Sequence, residues 1–407
     1  MKPTFLIISH VYVPDPASVG QHVADAAAEM VRRGYRTIVY TSARGYDDPS
    51  RVYPRREIQD GVDIRRLPLS SFGKSSIAVR LLAQCLFLLQ ATVLGLFTRS
   101  LCGVMISTSP PFCGIAGAVI SKLRRVSLKY WLMDLNPDQM VAMNMLRPGA
   151  LPVRIFDALN RVTLRQADYI VVMDRFMRER VLRKADVSHK IVTMPPWPHE
   201  DRLECIAHED NDFRRQHVGY GRFVVMYSGN HSPANPLGTL LDAVERLQSD
   251  PRLLVLCVGG GAGKRDVDGR VARGAANICS LPYQPLDRIR FSLSAADVHV
   301  VSIGDDVIGI VHPCKVYGAM AVSRPILLLG PSPSHVADLI EQHRIGWQIA
   351  HGDEVGADRV LKEILATPRA ELDAMGRRAA AAIAGTLSKQ QLMHRFCDVM
   401  QRGLPQS

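Results

Sequence analysis

The sequence is poor in aromatic residues and has no cluster of cysteines. Phe, Trp and Tyr make up 6% of the 407 residues, and no stretch interleaves them with basic residues. Such a chain lacks the stacking platform that single-stranded nucleic acid needs, so we expect no nucleic-acid partner. The eight Cys form no CxxC pair and no Cys/His pattern at zinc-ligand spacing. We therefore expect neither a disulfide framework nor structural zinc, and a reducing compartment.

Long apolar runs are also scarce. The N-terminal segment MKPTFLIIS holds an apolar run of about five residues, too short for a signal-peptide core, and it predicts a first β-strand. Only residues 77–97 form a run long enough to reach across a bilayer. Its polar and flanking basic residues are Arg80, Gln84, Gln90, Lys74 and Arg99. This mixed composition favours a helix in the membrane interface, with a buried core helix and a true span as the alternatives.

Acidic residues are too few in the first half to balance the basic ones. Residues 1–195 contain 27 Lys+Arg and 15 Asp+Glu, net +12, whereas residues 196–407 contain 23 and 24, net −1. The first half thus carries the whole excess of the formal charge of +11. This asymmetry indicates an anionic partner, such as a phospholipid surface or a polyphosphate, although a solvated basic face is the alternative.

Strand-like runs alternate with helical patterns along almost the whole chain, which is typical of βαβ units and parallel sheets. The length suits two domains. The Pro-rich segment 194–199 and the polar stretch 200–221 predict a linker between them. We expect an α/β protein with a Rossmann-like domain over 1–199, a second over 200–385, and a C-terminal helix, about 386–407, that returns to the first domain.

Loops that follow strands are the places where such sheets bind ligands. The loop after the first strand ends in Gly20, at a helix start that could approach an anion. In the second half, Gly229-Asn230-His231 follows a strand, and so does the turn 258–265, which has four glycines in five positions. Backbone N–H groups of Gly259, Gly260 and Gly261, with Lys264 and Arg265 beside them, would suit a diphosphate, although a turn without a ligand is the alternative.

A third loop, residues 304–315, carries Asp305, Asp306, His312 and Lys315 to one end of the sheet. The acids could hold sugar hydroxyls and the lysine a phosphate. A divalent cation is the alternative for the acidic pair, but consecutive Asp side chains point apart, so we expect no metal.

Several motifs together resemble GT-B glycosyltransferases of family 4, in particular the subgroup that builds bacterial surface polysaccharides such as colanic acid. The resemblance covers nearly all of the chain. It rests on the loop ending in Gly20, on STSPP at 107–111, WLMDLNPD at 131–138, YSGN at 227–230, VGGG at 258–261, PCKVY at 313–317, Ala321 and Arg324-Pro325.

The resemblance implies transfer of a sugar from a nucleotide-diphosphate donor, with retention at the anomeric carbon and without a metal or separate cofactor. The donor would lie against the second domain and the acceptor against the first, at the inner face of the cell membrane. Lys315 would stabilise the departing diphosphate, and Asp134 would orient or deprotonate the acceptor, with a helix N-cap as the alternative role. Residues implied to hold the nucleotide sugar are Gly20, Gly229, Asn230, His231, Gly259, Gly260, Gly261, Lys264, Arg265, Asp305, Asp306, Gly309, Val311, His312 and Tyr317.

The chain departs from the family pattern at charged positions. Two glutamates, eight positions apart in many members, are replaced by Ile310 and Gly318, and the usual Arg and Lys by Asn230 and Asn235. We expect Lys264, Arg265 and Lys315 to supply the missing positive charge, and Asp305 or Asp306 the missing acid. Two alternatives remain: a sugar-nucleotide epimerase, and a non-catalytic protein that binds a nucleotide sugar.

Overall fold

A computed structural model describes residues 2–15, 17–45, 48–70, 77–199, 205–219 and 221–405. The chain divides into two units, each built on its own sheet. The first unit comprises residues 1–199, 309–312 and 390–407, and the second comprises 200–308 and 313–389. Residues 309–312, which the sequence places in the second domain, therefore belong to the first unit.

The sheet of the first unit has eight strands in the order β3-β4-β2-β1-β5-β6-β7-β8. Their bounds are β1 Thr4–Ile8, β2 Arg36–Ser42, β3 Arg56–Gln59, β4 Val62–Leu67, β5 Leu101–Ile106, β6 Ser127–Leu132, β7 Tyr169–Val172 and β8 Ile191–Thr193. The central strands are largely apolar, and every residue of β1 is buried. Continuous apolar strands of this kind form parallel sheets covered on both faces.

Strand β3 is the described strand that the sequence did not predict. It pairs antiparallel with β4, and three of its four residues, REIQ, are exposed, so it carries no apolar pattern. The turn between the two strands consists of Asp60 and Gly61, with φ of 50° and 78°. An Asp-Gly pair is the usual signal for a two-residue hairpin, and it was present in the sequence.

The described residues of the first unit form seven helices around its sheet. They are α1 Ser18–Arg32, α2 Ile77–Leu96, α3 Cys113–Arg124, α4 Asp138–Ala142, α5 Leu151–Gln166, α6 Arg175–Lys184 and, near the C-terminus, α15 Lys389–Gln401. Helix α2 corresponds to the predicted helix 77–97, whereas Lys74 lies outside the described residues. Among the helices that the structure describes, none is long and apolar enough to cross a membrane.

Helix α15 is part of the first unit through buried aromatic contacts. The ring of Phe396 is fully buried and lies 4.2 Å from Trp131 in β6 and 5.5 Å from Trp197, measured between ring centroids. Arg33 adds an ion pair to Asp398 at 2.6 Å. These aromatic contacts hold the C-terminal helix against the first unit.

The sheet of the second unit has six strands in the order β11-β10-β9-β12-β13-β14. Their bounds are β9 Phe223–Ser228, β10 Leu253–Val258, β11 Ile278–Leu281, β12 Val298–Ser302, β13 Ile326–Leu329 and β14 Gly346–Ile349. Numbered within the unit, this is the 3-2-1-4-5-6 order of a dinucleotide-binding fold. The predicted α/β class with two Rossmann-like domains is confirmed.

The second sheet is covered by eight helices. They are α7 Asp212–His217, α8 Gly238–Arg246, α9 Lys264–Ala272, α10 Ile289–Ser294, α11 Lys315–Ala321, α12 His335–His343, α13 Glu354–Ala366 and α14 Arg369–Ala384. Helix α7 corrects the prediction that the whole stretch 200–221 is a linker. Phe213 and Val218 in this stretch are buried in a core cluster with β9 and β10 residues. The few apolar residues of this polar segment therefore pack against the sheet.

Candidate functional site

The order of the second sheet places a topological switch point between β9 and β12, where the chain leaves in opposite directions. The loops that follow these two strands are tied together. Ser302 Oγ donates to Pro236 O at 2.6 Å, Asn235 Nδ2 donates to Ser302 O at 2.7 Å, and Gly304 N donates to Ala234 O at 2.9 Å. Asn235, one of the positions where a family cation is missing, thus holds the two loops in register.

Two glycines let the loops after β9 and β10 touch through their backbones. Gly259 has φ of 131°, and a Cβ at this position would lie 2.0 Å from Gly229 O. Gly229 has φ of 129°, and a Cβ there would lie 2.6 Å from Lys315 Cε. Only glycine meets both requirements, which are positive φ and no side chain. The predicted Gly-rich turns therefore come together at one edge of the sheet.

Lys315, the first residue of α11, points into this meeting of loops. Its Nζ donates to the Tyr227 hydroxyl and to Asn230 O, the latter at 2.9 Å, and lies 4.1 Å from the centroid of the Tyr227 ring. These partners are neutral, and burial lowers the pKa of Lys315 to about 7. Lys315 is thus partly desolvated and pairs with no carboxylate of the described residues, which suits its ammonium to an anionic ligand.

His231 hydrogen-bonds the loop after β9 to the loop after β10. Its N–H donates to Gly260 O at 2.7 Å and its carbonyl accepts from Gly263 N at 2.8 Å. The ring is buried, with Nδ1 3.1 Å from Gly229 O and with Nε2 lacking a hydrogen-bond partner. Burial, with the nearby charges of Lys264 and Lys315, lowers the pKa of His231 to about 4. The imidazole is therefore neutral at physiological pH.

The two basic residues after the glycines have different environments. Lys264 is half-buried and donates through Nζ to Cys257 O at 2.7 Å and to Leu281 O at 2.8 Å, and burial lowers its pKa. Two of its three donors are therefore used by backbone carbonyls at the ends of β10 and β11. Arg265 is exposed on α9. Lys264 therefore supplies positive charge next to the Gly-rich turn. The sequence led us to expect its ammonium to be available to a ligand, but in the structure it is hydrogen-bonded to these carbonyls.

The acidic pair and Tyr317 complete the predicted residues of the second unit. Asp305 and Asp306 are exposed in a short 3-10 turn. Tyr317 is buried within the unit, and its hydroxyl lies 2.9 Å from His335 Nε2. Gly261 has φ of 115°, and a Cβ there would lie 2.2 Å from Asn230 Oδ1. The aspartates are thus accessible to a ligand, whereas the tyrosine is a core residue.

In the first unit, Asp134 follows β6 at the carboxyl edge of the sheet. Its N–H donates to Thr108 Oγ1 at 3.2 Å, and its backbone forms an antiparallel bridge with Val311. Burial raises the pKa of its carboxyl to about 6. Helix α4 begins at Asp138, and its N-cap residue is Pro137. The alternative that Asp134 caps this helix is therefore wrong.

The pair of Asp174 and His312 was not recognised from the sequence. His312 Nδ1 and Asp174 Oδ2 lie 2.9 Å apart, with the two side chains 2% and 4% exposed. The other oxygen of Asp174 caps α6, accepting from Met177 N at 2.8 Å. Gly309 packs on the Phe176 backbone with φ of 68°, where a Cβ would lie 2.6 Å from Phe176 C.

These contacts explain why residues 309–312 join the first unit and correct the placement of Gly309, Val311 and His312 in the second domain. The signal for Asp174 was its position directly after a strand, as for Asp134. An aspartate before a helix is more often an N-cap, and Asp174 both caps α6 and binds His312.

The remaining features of the first unit lie at the carboxyl ends of β1, β5 and β6. Gly20 is buried in the first turn of α1, where a Cβ would lie 3.1 Å from Tyr12 Cα. A recess nearby holds about 340 Å³ of space, including solvent at its mouth. It is lined by polar and aromatic residues, among them Thr108, Phe112, Tyr130, Asn136, Phe156 and Asn160.

Comparison with known proteins finds a matching family model. Residues 18–197, slightly less than half of the chain, match the model of the glycosyl transferase 4-like domain. The resemblance stated from the motifs is thereby confirmed.

Two curated relatives of this chain come from bacteria. The probable glycosyltransferase WbjE of Pseudomonas aeruginosa is 25% identical over 235 residues, which are 57% of this chain and 58% of WbjE. The putative colanic acid biosynthesis glycosyl transferase WcaI of Escherichia coli K12 is 23% identical over 56% of this chain and 58% of WcaI. The match thus spans less than two thirds of each relative.

Solved structures share the fold over the whole length. Sucrose-phosphate synthase of Thermosynechococcus elongatus has a TM-score of 0.75 at 15% identity, covering 99% of both chains. WaaG, a glycosyltransferase of lipopolysaccharide biosynthesis, has a TM-score of 0.71 at 14% identity, covering 98% of this chain and all of WaaG. HepE of Anabaena, solved with UDP-glucose, has a TM-score of 0.70 at 14% identity, covering 98% and 99%. At these identities the likeness establishes the fold.

Proposed function

We propose that this protein is a retaining glycosyltransferase that transfers a sugar from a nucleotide-diphosphate sugar to a lipid-linked or saccharide acceptor during synthesis of a surface polysaccharide. The observation that carries the proposal is Lys315, a desolvated cation set among Gly-rich turns at the switch point of the second sheet. The match of residues 18–197 to a glycosyl transferase domain supports the same activity, as do relatives named for glycosyl transfer and colanic acid.

On the donor side, the departing group is a nucleoside diphosphate. The bond from the anomeric carbon to the diphosphate breaks, and negative charge develops on the phosphate oxygens. Backbone N–H groups of Asn230, Gly260 and Gly261, with the Lys315 ammonium, would stabilise that charge. This cation would take the place of a metal ion, so the reaction would need none. The exposed Asp305 and Asp306 would bind hydroxyls of the transferred sugar.

On the acceptor side, Asp134 would accept the proton of the attacking hydroxyl. A carboxyl with a pKa of about 6 is ionised near neutral pH and is a stronger base than an ordinary aspartate. The acceptor hydroxyl forms the new bond to the anomeric carbon, and its proton passes to Asp134. The net +12 of the first 195 residues suits an enzyme that works on the cytoplasmic side of the membrane, beside anionic lipid headgroups.

The test is a transfer assay with UDP-, GDP-, ADP- and dTDP-sugars and an extract of lipid-linked saccharides, with magnesium or with a chelator. We expect one donor class to give product in both conditions, and the anomeric configuration of the product to match the donor. Lys315→Ala should abolish product, whereas Lys362→Ala, an exposed lysine on α13, should not.

Three results would contradict the proposal. Conversion of the donor sugar without any acceptor would identify an epimerase. Nucleotide-sugar binding without turnover would identify a non-catalytic binding protein. Activity that requires the metal would refute the role of Lys315 as its substitute.

A further inference from the structure

Helix α2 has an unbroken apolar face that no described element covers. Leu81, Cys85, Leu89 and Val93, at intervals of four, are exposed along it, and so is Phe97, just after the helix ends at Leu96. Leu89 is 60% exposed and Phe97 80%. At 1.5 Å per residue the row from Leu81 to Val93 is about 18 Å long. Isolated apolar side chains are common on surfaces, but a continuous row of this length indicates a binding surface.

Helix α3 continues this surface beside α2. A Cβ on Gly95 would lie 2.5 Å from Ile120 Cδ1, so the two helices are in close contact. Arg124 Nη1 donates to Thr98 O at 2.9 Å, just after α2 ends. On the outer side of α3, Val119 and Leu123 are exposed, Leu123 by 65%.

Helix α5 extends the surface on the other side of α3. A Cβ on Gly114 of α3 would lie 2.5 Å from Thr163 Oγ1 of α5, so α3 lies between its two neighbours. Leu151, Ile155 and Val162 are exposed on α5 and share one side of the helix.

The charges of this region are of one sign. From Ile64 to Met133 the sequence has nine Lys and Arg and no Asp or Glu. Among the described side chains, Arg99, Lys122 and Arg125 are exposed at the end where α2 and α3 meet. Arg154 and Arg165 are exposed on α5. An apolar surface with basic edges and no acidic residue along α2 and α3 is complementary to anionic lipid headgroups above an apolar acyl layer.

We propose that the outer faces of α2, α3 and α5 form one surface that docks on a bilayer of anionic phospholipids. The inference deepens the proposed function, since it names the lipid surface beside which the acceptor would be met. Leu81, Leu89, Val93 and Phe97 enter the interface, while Lys122 and Arg125 contact the headgroups. A second copy of the chain is disfavoured as the occupant because like charges on both copies would repel.

The test is co-sedimentation of the full chain with vesicles of phosphatidylglycerol and phosphatidylethanolamine, or of phosphatidylcholine alone. We expect binding to the anionic vesicles only. Leu89→Ser with Phe97→Ser should weaken binding at least tenfold, whereas Val355→Ser, which removes a side chain 82% exposed in the second unit, should not. Lys122→Gln with Arg125→Gln should weaken binding by about fivefold per charge, whereas Arg273→Gln, at an exposed arginine just after α9, should leave it unchanged.

Four outcomes would overturn the proposal. These are no sedimentation of the wild type, equal binding to phosphatidylcholine, unchanged binding of the Leu89 and Phe97 variant, and a wild-type dimer that this variant converts to a monomer. The last would make the surface an interface between copies. Thermal-shift titration with nucleotide sugars separates this result from the proposed transferase function, since the surface variants should keep the wild-type shift.

Discussion

The lowered pKa of Lys315 makes donor binding depend on pH in a direction that the structure determines. In the free protein, burial lowers this pKa to about 7. A bound diphosphate stabilises the ammonium and raises the pKa, so binding takes up a proton at any pH where the lysine is neutral. Affinity is therefore greatest below pH 7 and is lost as the pH rises above it. His231, with a pKa of about 4, does not titrate in this window.

The magnitude follows from the fraction of protein that carries the proton. With a free-state pKa of about 7 and a bound-state pKa above about 9.5, the Kd rises about 25-fold between about pH 6.5 and about pH 8.5. At about pH 8 the uptake on binding is about 0.9 proton. A nucleotide-diphosphate sugar suits the measurement because its two phosphates keep constant charge over this range.

Isothermal titration calorimetry in buffers of different ionisation enthalpy measures both quantities. Lys315→Arg keeps a charge that does not titrate, so its Kd should change little with pH. Lys315→Met should bind weakly at every pH and take up no proton. A wild-type Kd that is constant over the range, or an uptake that persists in Lys315→Met, would refute the assignment of this proton to Lys315.

Three further predictions concern the base and the packing. Asp134→Asn should lower kcat by roughly 10²–10⁴-fold and remove the rise in rate as the pH passes about 6. The Kd of the donor should stay the same. An unchanged pH profile would refute the role of Asp134 as the base. Gly259→Ala should lower the midpoint of thermal unfolding far more than Gly274→Ala. Both glycines have positive φ, but only a Cβ at residue 259 would clash, at 2.0 Å from a carbonyl oxygen. An equal decrease of the midpoint in both variants would show that the loop relaxes. Phe396→Ala should lower the free energy of unfolding by about 3–5 kcal/mol in denaturant titration, against less than about 0.5 kcal/mol for the 80%-exposed Phe97→Ala, and a similar loss for both would contradict the burial of Phe396 in the first unit.

Repeating elements were predictable because they follow from local pattern. Apolar runs predict the described strands of both sheets other than β3, which is polar and exposed. The Gly-rich turns were also found in advance, since positive φ and close backbone approach restrict residue type so strongly that the sequence records them. The motif resemblance to family 4 glycosyltransferases was recognisable for the same reason.

Side-chain partners were less predictable, as Lys264 and Lys315 illustrate. Both follow a loop and begin a helix, and the sequence treated them alike. The structure gives Lys264 two carbonyl partners at the ends of β10 and β11, and it holds Lys315 among Tyr227 and Asn230. A long flexible side chain has many rotamers, and the selected one depends on which acceptors other segments bring within reach.

The sequence by itself determined the α/β class, the succession of strands and helices, the Gly-rich turns and the excess of positive charge in the first half, since these depend on residue type and short-range spacing. The tertiary structure decided that residues 309–312 pack with the first unit, that Asp174 binds His312, and that the apolar rows of α2, α3 and α5 lie side by side. These facts depend on contacts between residues far apart in the chain, which local pattern does not encode.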